Sequence, residues 1–526
     1  MLATLVTAVI NGLRGELVRV EVDVAPGLPA CHIVGLPDAA LSEARERVRG
    51  AIRNSGFDYP ASRITVNLAP ADRRKRGAAY DLAIAVGILV AAGQIRRGGG
   101  SWALLGELSL TGTLEPIAGV LPMVATLARA GHRRVGVPAA NLAEAQLVEG
   151  VEAVGLAGLD DAARLIAGPR GRTARQAERR PALAVSGGGD DAQRGAGQGE
   201  RLTGTLEPVD LAEIRGQAHA RWALEVALVG AHNLLLIGPP GAGKTLLARA
   251  IPGLLPPLAP NEALEVTVIE SVAGLLDGGG LRSRRPFRAP HHTSSYAAMV
   301  GGGPLLLPGE ATLAHLGVLF LDELAEFDRL TLDALRQPLE EGVLTIARAR
   351  GHIRYPARFQ LVAAMNPCRC GHFNDAGAQC RCMPGDPERY VRRVSGPLLD
   401  RIDMRVEMAR VPPDQLLGGP APEDSRTVAG RIAAARAFGI ARNGGRVNAA
   451  LTGSAIVRAC ALPPAANAFL AEMAGSTGLS ARGVHRIMRV ARSVADLDGR
   501  AEMGVADLSA AHTLHRSAAI DRLRAA

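Results

Sequence analysis

A glycine-rich stretch that ends in lysine and threonine is the first feature of this sequence that could do chemistry. It reads Gly238, Pro239, Pro240, Gly241, Ala242, Gly243, Lys244, Thr245. The apolar run 233–237 before it predicts a strand, and the run 246–251 after it predicts a helix. In that context backbone N–H groups cradle phosphates, Lys244 reaches the outer phosphates and the Thr245 hydroxyl binds Mg²⁺. The stretch therefore predicts a P-loop that binds ATP with Mg²⁺.

Two acidic residues follow the next buried strand and extend the prediction from binding to hydrolysis. The apolar run 318–321 predicts a parallel strand, and Asp322 and Glu323 come directly after it. Asp322 can hold the Mg²⁺, and Glu323 can activate the attacking water. The alternative is a solvated helix start, which the preceding apolar strand disfavours.

A third predicted strand, 359–365, ends at Asn366. In a doubly wound sheet this amide faces the same crevice as Asp322 and can hold the attacking water against the γ-phosphate. An Asn-Pro pair alone more often marks a turn, but the order of the three motifs favours the water-sensing role.

Lysine is rare in this chain, which gives Lys244 added weight. Only two of the 60 basic residues are lysines, Lys75 and Lys244, and the others are arginines. A GC-rich coding bias explains the excess of arginine. A compact ammonium group fits among phosphate oxygens better than a planar guanidinium, so we expect lysine to persist at this position.

The motifs lie in the third of four stretches that differ in composition. Residues 1–167 alternate predicted strands, such as 17–24 and 63–68, with predicted helices, such as 40–55 and 81–92. Residues 168–206 have few bulky apolar side chains and predict a flexible linker. Residues 207–420 carry the P-loop. Residues 421–526 are rich in Ala, Arg and Leu at helical spacing and predict an all-helical domain.

Longer segments around these motifs resemble magnesium-chelatase-like AAA+ proteins of the YifB/ComM type. The likeness is carried by residues 210–217, by Arg-Ala-Pro-His-His-Thr-Ser at 288–294, by Pro-Gly-Glu at 308–310 and by residues 395–403. It covers nearly the whole chain apart from the linker. The resemblance implies an α/β fold: an AAA+ P-loop core with a parallel sheet and a C-terminal helical lid.

The resemblance also implies roles for residues outside the three motifs. Arg401 matches the arginine finger, which reaches the γ-phosphate bound by a neighbouring subunit, and Arg482 matches the second sensor on the lid. Ile214 and Gln217 match residues at the adenine. A finger acting in trans requires a homo-oligomeric ring, which the family suggests is a hexamer. A surface salt bridge is the alternative for either arginine in so arginine-rich a chain.

A predicted β-hairpin at 342–359 suggests what such a motor acts on. Arg348, Arg350 and His352 are placed at its tip, with residues 350–352 as the turn. In related motors this hairpin points into the pore, and cations there suit phosphate backbones. An ordinary solvated hairpin is the alternative. Better-understood members of the family resemble DNA branch-migration helicases of recombination and natural transformation, so DNA is the expected partner.

The first 167 residues resemble the proteolytic domain of Lon-type proteases through segments 106–112 and 131–138. That chemistry needs a serine nucleophile activated by a lysine. Ala79 falls where the serine would be, and Leu121 where the lysine would be. We therefore expect no peptidase activity. The basic run 73–76 could contact DNA, although a solvated loop is an equal alternative.

Six cysteines remain, and four of them fall within 15 residues: Cys368, Cys370, Cys380 and Cys382. Two C-x-C pairs can supply four thiolates to tetrahedral Zn²⁺. The spacing is one residue tighter than the usual C-x₂-C, so free or redox-sensitive thiols remain the alternative. Clustering of this kind favours a metal site over disulfides.

The composition bounds the remaining possibilities. A net charge of +9 and a pI of about 9.8 allow nucleic-acid binding without requiring it. No apolar run is long enough to predict a membrane span, and the N-terminus predicts a strand rather than a signal peptide, so we expect a cytoplasmic protein. Two alternatives to a DNA motor stay open: a metal-chelatase-type motor subunit and a chaperone-like remodeller of a protein partner.

Overall fold

The structure is a computed structural model. It describes residues 1–34, 39–70, 77–98, 100–168, 208–276, 280–303, 306–348, 351–375, 377–418 and 422–517. The predicted linker apart from Gly168, the basic run 73–76 and Arg350 lie outside the described residues, as does the side chain of Arg348. The described residues divide into two compact units: those within 1–202, 267–281 and 303–307, and the remainder.

The described part of residues 1–168 forms nine strands and five α-helices. The strands are β1 Leu2–Asn11, β2 Arg14–Ala25, β3 Ala30–Val34, β4 Arg63–Ala69, β5 Ala103–Leu104, β6 Glu107–Leu108, β7 Leu114–Glu115, β8 Arg134–Pro138 and β9 Glu152–Leu156. The helices are α1 Ala39–Asn54, α2 Asp81–Ala91, α3 Val120–Arg129, α4 Leu142–Ala145 and α5 Leu159–Ala167. A short 3-10 turn covers Ala139–Asn141.

Seven of these strands make one mixed sheet in the order β3-β4-β2-β1-β5-β8-β9. The pairs β1–β2 and β2–β4 are antiparallel, and the other pairs are parallel. The valines at 18, 20 and 22 of β2 are buried, as their alternation predicts. Helix α2 is buried along its whole length, which its continuous apolar sequence explains. The predicted elements of this region are confirmed to within two residues, apart from longer ends of β2.

From residue 208 the described chain adds nine strands and fifteen α-helices. The strands are β10 Leu234–Ile237, β11 Phe287–Arg288, β12 Gly301–Gly302, β13 Leu307–Pro308, β14 Val318–Leu321, β15 Val343–Arg348, β16 Gly351–Pro356, β17 Gln360–Met365 and β18 Met404–Glu407. The first ten helices are α6 Ala218–Gly230, α7 Lys244–Leu254, α8 Pro260–Ala273, α9 Tyr296–Val300, α10 Glu310–Leu313, α11 Arg329–Ala334, α12 Arg336–Glu341, α13 Asp386–Val391, α14 Gly396–Leu399 and α15 Pro413–Gly418.

The described residues after 421 are helical, as their composition predicts. They form α16 Ser425–Arg442, α17 Ser454–Cys460, α18 Pro464–Thr477, α19 Ala481–Leu497 and α20 Val505–His515. Helices α6, α16 and α19 share one core with the central strands, and Arg492 of α19 is fully buried in a salt bridge with Asp496. These helices therefore belong to the same compact unit as the P-loop.

A parallel sheet in the order β11-β14-β17-β10-β18 organises the second unit. Every residue of β10, β14 and β17 is buried. Continuous apolar sequence is typical of parallel strands that are covered on both faces. Because β14, β17 and β10 are neighbours and run in one direction, their carboxyl ends meet at one edge of the sheet. The parallel sheet predicted from the three motifs is confirmed.

The hairpin β15–β16 is also confirmed, but its turn was misplaced. Arg348 pairs with Gly351 and Ala347 pairs with His352 across the antiparallel strands. Gly351 and His352 therefore lie within the returning strand rather than in a turn at 350–352. The ladder continues further toward the tip than the sequence suggested because a glycine is compatible with a strand end as well as with a turn.

Among the described residues, no helix combines the length and the apolar character that crossing a membrane requires.

Candidate functional site

The carboxyl ends of β10, β14 and β17 surround a cavity of about 370 Å³. Its walls come from the P-loop, from Asp322 and Glu323 after β14, and from Met365 and Asn366 at the end of β17. The sheet thus brings together three motifs that are spread over residues 238–366 of the sequence.

The P-loop backbone turns at two glycines in the left-handed region. Gly241 has φ of 79° and Gly243 has φ of 90°, and a side chain at either would be strained. Helix α7 begins directly afterwards at Lys244. Its unpaired N-terminal N–H groups and its dipole therefore favour an anion in this cavity.

Lys244 is 9% exposed, and its ammonium group is held by oxygen atoms from two motifs. It donates to the carbonyl oxygens of Gly238 at 2.7 Å and Pro239 at 2.9 Å, and to Oδ1 of Asn366 at 3.1 Å. Burial lowers the pKa of Lys244 to about 8, against the raising influence of Asp322 and Glu323. A phosphate group would supply the compensating charge.

The hydroxyl of Thr245 donates to Oδ2 of Asp322 at 2.6 Å. A hydroxyl and a carboxylate in this arrangement are oxygen donors of the kind that Mg²⁺ binds together with nucleotide phosphates. The residues present therefore fit the ion that the P-loop motif implies.

Glu323 lies at the mouth of the cavity in a strained backbone conformation. Its φ is 53°, and its N–H donates to Oδ1 of Asp322 at 2.9 Å. Positive φ at a non-glycine residue costs free energy that the surroundings must supply. Nδ1 of His292 lies 3.3 Å from Oε2 of Glu323, and the His291 ring packs on His292 with centroids 4.1 Å apart. His292 therefore faces the carboxylate predicted to activate water, and His291 packs on its ring.

Ile214 and Gln217 do not line this cavity. Ile214 is 3% exposed within the core, whereas Gln217 contacts the P-loop backbone. Nε2 of Gln217 donates to the carbonyl oxygen of Ala242 at 3.0 Å and to that of Ala409 at 2.6 Å. The segment before α6 thus contacts the P-loop through Gln217. The contact of Ile214 and Gln217 with adenine stays a prediction.

Arg401 and Arg482 also lie outside the lining of the cavity, and the structure brings them together at another carboxylate. Arg401 pairs with Glu340 and donates to the carbonyl oxygen of Pro397 at 2.7 Å. Nη2 of Arg482 lies 3.8 Å from Oε1 of the same glutamate, and its side chain is 83% exposed. We call these three residues the arginine face.

The backbone of Arg401 is fixed to the start of the P-loop strand by one asparagine. The Asn233 side chain donates to the carbonyl oxygen of Arg401 at 2.8 Å and accepts from the N–H of Leu361 at 2.8 Å. The Asn233 N–H donates to Oδ2 of Asp403 at 3.0 Å. Arg486 and Arg489 of α19 lie 3.4 and 3.7 Å from the other oxygen of Asp403.

The four clustered cysteines converge as their spacing predicted. All four sulfur atoms lie within 4.8 Å of one another. Cys368 and Cys370 are 3.4 Å apart, Cys370 and Cys380 are 3.5 Å apart, and Cys368 and Cys380 are 3.8 Å apart. Four thiolates at about 2.3 Å from a tetrahedral zinc ion are separated by roughly 3.8 Å. The sulfur atoms therefore fit zinc with little adjustment.

Sequence reasoning missed the partners of several site residues. Arg288 and Glu310 form a two-pronged ion pair with both distances at 2.7 Å, which joins the motifs at 288–294 and 308–310. His292 and Glu340 were not singled out. The paired histidines in the first of these motifs were the available signal for His292, whereas nothing in the sequence indicates Glu340.

In the N-terminal unit Ala79 and Leu121, the residues predicted to stand in place of a protease dyad, are both buried. Ala79 is 8% exposed and Leu121 is 2% exposed. The N–H of Leu121 donates to Oε1 of the buried Glu144 at 2.8 Å. Neither side chain can act as a nucleophile or a base.

The fold and the cavity together define a P-loop protein with the strand order β11-β14-β17-β10-β18 and a site for a nucleotide. Family models agree with this class across most of the chain. The model described as "Magnesium chelatase, subunit ChlI" matches residues 210–416. "Subunit ChlI of Mg-chelatase" matches residues 20–141, and "Magnesium chelatase, subunit ChlI C-terminal" matches residues 422–515.

Similar proteins extend over nearly the full length. An uncharacterized protein of Mycobacterium tuberculosis, Rv2897c, is 43% identical over 97% of this chain and 98% of its own length. YifB of Escherichia coli is 42% identical over 93% and 92%. The competence protein ComM of Haemophilus influenzae is 41% identical over 94% and 93%. The chain belongs to the YifB/ComM-type family of magnesium-chelatase-like AAA+ ATPases.

Proposed function

We propose that this protein is an ATP-hydrolysing ring motor that moves or branch-migrates DNA. The observation that carries the ATPase part is the convergence of Lys244, Thr245, Asp322, Glu323 and Asn366 on one cavity. Family membership indicates an ATPase, and these contacts support the part that we propose for each residue.

The proposed division of labour follows from the side chains and their positions. The P-loop N–H groups and Lys244 bind the phosphates, while Thr245 and Asp322 hold Mg²⁺, which neutralises charge on the phosphates when bound. Glu323 accepts the proton of the attacking water, and Asn366 positions that water. Lys244 gains a phosphate partner in addition to Asn366, so ATP binding keeps its buried charge compensated.

Arg401 and Arg482 complete the site of a neighbouring subunit in this proposal. Both lie on the arginine face, outside the lining of their own cavity, and Glu340 holds them until a γ-phosphate competes for them. A guanidinium supplied in trans stabilises charge that develops in the transition state. This division requires a homo-oligomer, and a hexamer is the state that the family suggests.

The DNA part of the proposal rests on the resemblance and on relatives rather than on the cavity. The ComM relative carries the name of a competence protein and matches 94% of the chain. By contrast, a magnesium-chelatase subunit of Rhodobacter capsulatus is 28% identical over only 29% of this chain. That difference favours a DNA motor over a chelatase subunit. Arg348, Arg350 and His352 are the proposed contacts with phosphates.

The rate of ATP hydrolysis with and without single-stranded, duplex and branched DNA tests this proposal. We expect branched DNA to stimulate hydrolysis and Lys244→Ala to abolish it. A companion assay follows ATP-dependent movement of a four-way junction. Normal ATPase activity that no DNA stimulates, with no movement of the junction, would leave an ATPase whose substrate is a protein, as in the chaperone-like alternative.

We also propose that Cys368, Cys370, Cys380 and Cys382 bind one zinc ion as a structural site. The measurement is the metal content of protein purified in reductant. We expect one zinc per chain, loss of zinc in Cys370→Ser, and retention in Cys31→Ser, which changes a cysteine outside the cluster. For the N-terminal unit we propose a Lon-like fold without peptidase activity, and ATP-dependent peptide cleavage that a change in this unit abolished would contradict it.

A further inference from the structure

The segment between β17 and α13 carries the four cysteines, and its described residues contain no helix or strand. We call residues 367–385 the cysteine loop. Met383 is 72% exposed, and few apolar side chains of the loop are buried. A segment of this length buries too little apolar surface to offset the entropy of ordering it. A cross-link such as a bound metal ion is the usual remedy.

The cysteine loop touches the P-loop directly. Gly371 lies inside the loop, and its N–H donates to the carbonyl oxygen of Cys368 at 3.0 Å. A methyl group added at Gly371 would lie 2.5 Å from Cδ and 2.7 Å from Cγ of Pro240. Real carbon atoms do not approach so closely, so the loop and the phosphate-binding turn are packed against each other with no spare room.

Two further connections run from the cysteine loop to the nucleotide site. Asn366, which accepts from Lys244, stands only two residues before Cys368. At the other side of the loop, Asp375 accepts from His372 at 3.0 Å and pairs with Arg410 at 3.1 Å. The residue before Arg410 is Ala409, whose carbonyl oxygen binds Gln217.

Gln217 completes the connection that runs through Asp375 and Arg410, because its side chain also binds the P-loop. Its Nε2 donates both to Ala409 at 2.6 Å and to Ala242 at 3.0 Å. The cysteine loop is therefore joined to the P-loop at Pro240 by packing, and at Ala242 through Arg410 and Gln217.

We propose that metal occupation of the cysteine loop sets the shape of the nucleotide site, so that the loop is a brace for the P-loop and Asn366. This inference rests on the zinc site proposed above. With metal bound, Gly371 is held against Pro240 and Asn366 is held toward Lys244. Without metal the loop loosens, and the phosphate-binding turn loses the packing on one side.

The first test compares the full-length protein with zinc, after removal of zinc by a chelator in reductant, and after zinc is restored. The readouts are zinc content and the Kd for a non-hydrolysable ATP analogue. We expect removal to weaken binding by roughly tenfold or more and restoration to reverse this. Protein that never contains zinc would refute the zinc site itself. Protein that loses zinc with an unchanged Kd would refute only the brace.

The second test separates the brace from the metal by using two glycines of the same loop. Gly371 has φ of 84° and Gly385 has φ of 85°, so alanine would have to adopt nearly the same unfavourable positive φ at both. Only at Gly371 does the added methyl meet Pro240, since nothing lies within 4 Å of the position at Gly385. We expect both variants to keep zinc, and only Gly371→Ala to bind the ATP analogue more weakly. Equal affinity of the two variants would overturn the proposal.

Discussion

In the nucleotide cavity, Lys244, Thr245 and Asp322 are held by hydrogen bonds of 2.6–3.1 Å, two of which connect the P-loop to the residues that follow β14 and β17. On the arginine face, Arg401 and Arg482 share one carboxylate, Glu340, which is itself 51% exposed. The first region places its groups on rigid strand ends where a ligand can join them. On the arginine face, a phosphate must displace Glu340 before it can bind Arg401 or Arg482. The difference predicts that variants of the cavity and of the arginine face fail in different ways.

The largest effect is expected from Arg401→Ala, which should leave ATP binding intact. Because an arginine supplied in trans stabilises the transition state, hydrolysis should fall by roughly 10³–10⁵. The measurement is steady-state ATPase activity alongside the Kd for an ATP analogue. Arg458→Ala, at an exposed arginine of α17, is the matched control and should be active.

Mixing two inactive variants tests whether Arg401 acts on a neighbour. Protein carrying Lys244→Ala supplies an intact arginine face, and protein carrying Arg401→Ala supplies an intact cavity. We expect the mixture to regain activity. If mixed rings formed but stayed inactive, the trans assignment of Arg401 would be wrong.

A smaller effect is expected from His292→Ala. Because His292 is 3.3 Å from the Glu323 carboxylate, its loss should leave that carboxylate less well aimed at water and lower kcat by roughly 10–100-fold. The Kd for ATP should change little. His291→Ala, which keeps the histidine nearest Glu323, is the comparison. Equal kcat in His292→Ala and the unmodified protein would remove the positioning role.

The cavity should also show a pH dependence that the arginine face lacks. The pKa of Lys244 is about 8 in the free protein, and bound phosphate raises it because negative charge favours the ammonium form. ATP affinity is therefore full below pH 8 and falls as the pH rises beyond it, by at most about tenfold per pH unit. The check is the Kd of an ATP analogue from pH 7 to 9.5. Lys244→Arg, whose charge does not titrate there, should show a flat profile even if its affinity is lower.

The smallest effect is expected from Glu340→Gln, and it should be a gain. Removing this carboxylate frees Arg401 and Arg482 for a neighbour's phosphate. An exposed ion pair contributes about 0–1 kcal/mol, so ATP hydrolysis should rise by at most about fivefold. Glu341→Gln changes the adjacent carboxylate and should have no effect. A drop in activity with Glu340→Gln would mean that Glu340 orients the arginines rather than restrains them.

The two regions also differ in how far the sequence alone could define them. The cavity was predictable because each of its residues follows a buried apolar strand, and parallel strands deliver their carboxyl ends to one edge. The cysteine cluster was predictable because sequence spacing already keeps its thiols close. Glu340 was not predictable, since its contact with Arg401 depends on how α12 packs 61 residues away along the chain. The packing of Gly371 on Pro240 is likewise a tertiary contact with no local signature.

The hairpin shows another limit of prediction from sequence, which concerns the register of paired strands. The sequence predicted both strands, but the turn was placed on Gly351 and His352, which pair with Arg348 and Ala347. The alternation of side chains along each strand shows which residues share a face of the hairpin. The register, which is the pairing of residues across the two strands, depends on where the turn joins them. A glycine near the tip was compatible with either placement.

Asn233 has a consequence for the proposed action of Arg401 on a neighbouring subunit. One side chain bonds the carbonyl of Arg401 and the N–H of Leu361, and its backbone bonds Asp403, at the point where the P-loop strand begins. If Arg401 acts on a neighbour's nucleotide as proposed, Asn233 anchors that arginine to the strand that leads to this subunit's own P-loop. A displacement of Arg401 by a neighbour's phosphate would be transmitted through Asn233 to the strand that precedes the P-loop. In a ring of subunits coupled in this way, ATP hydrolysis would follow a coordinated order.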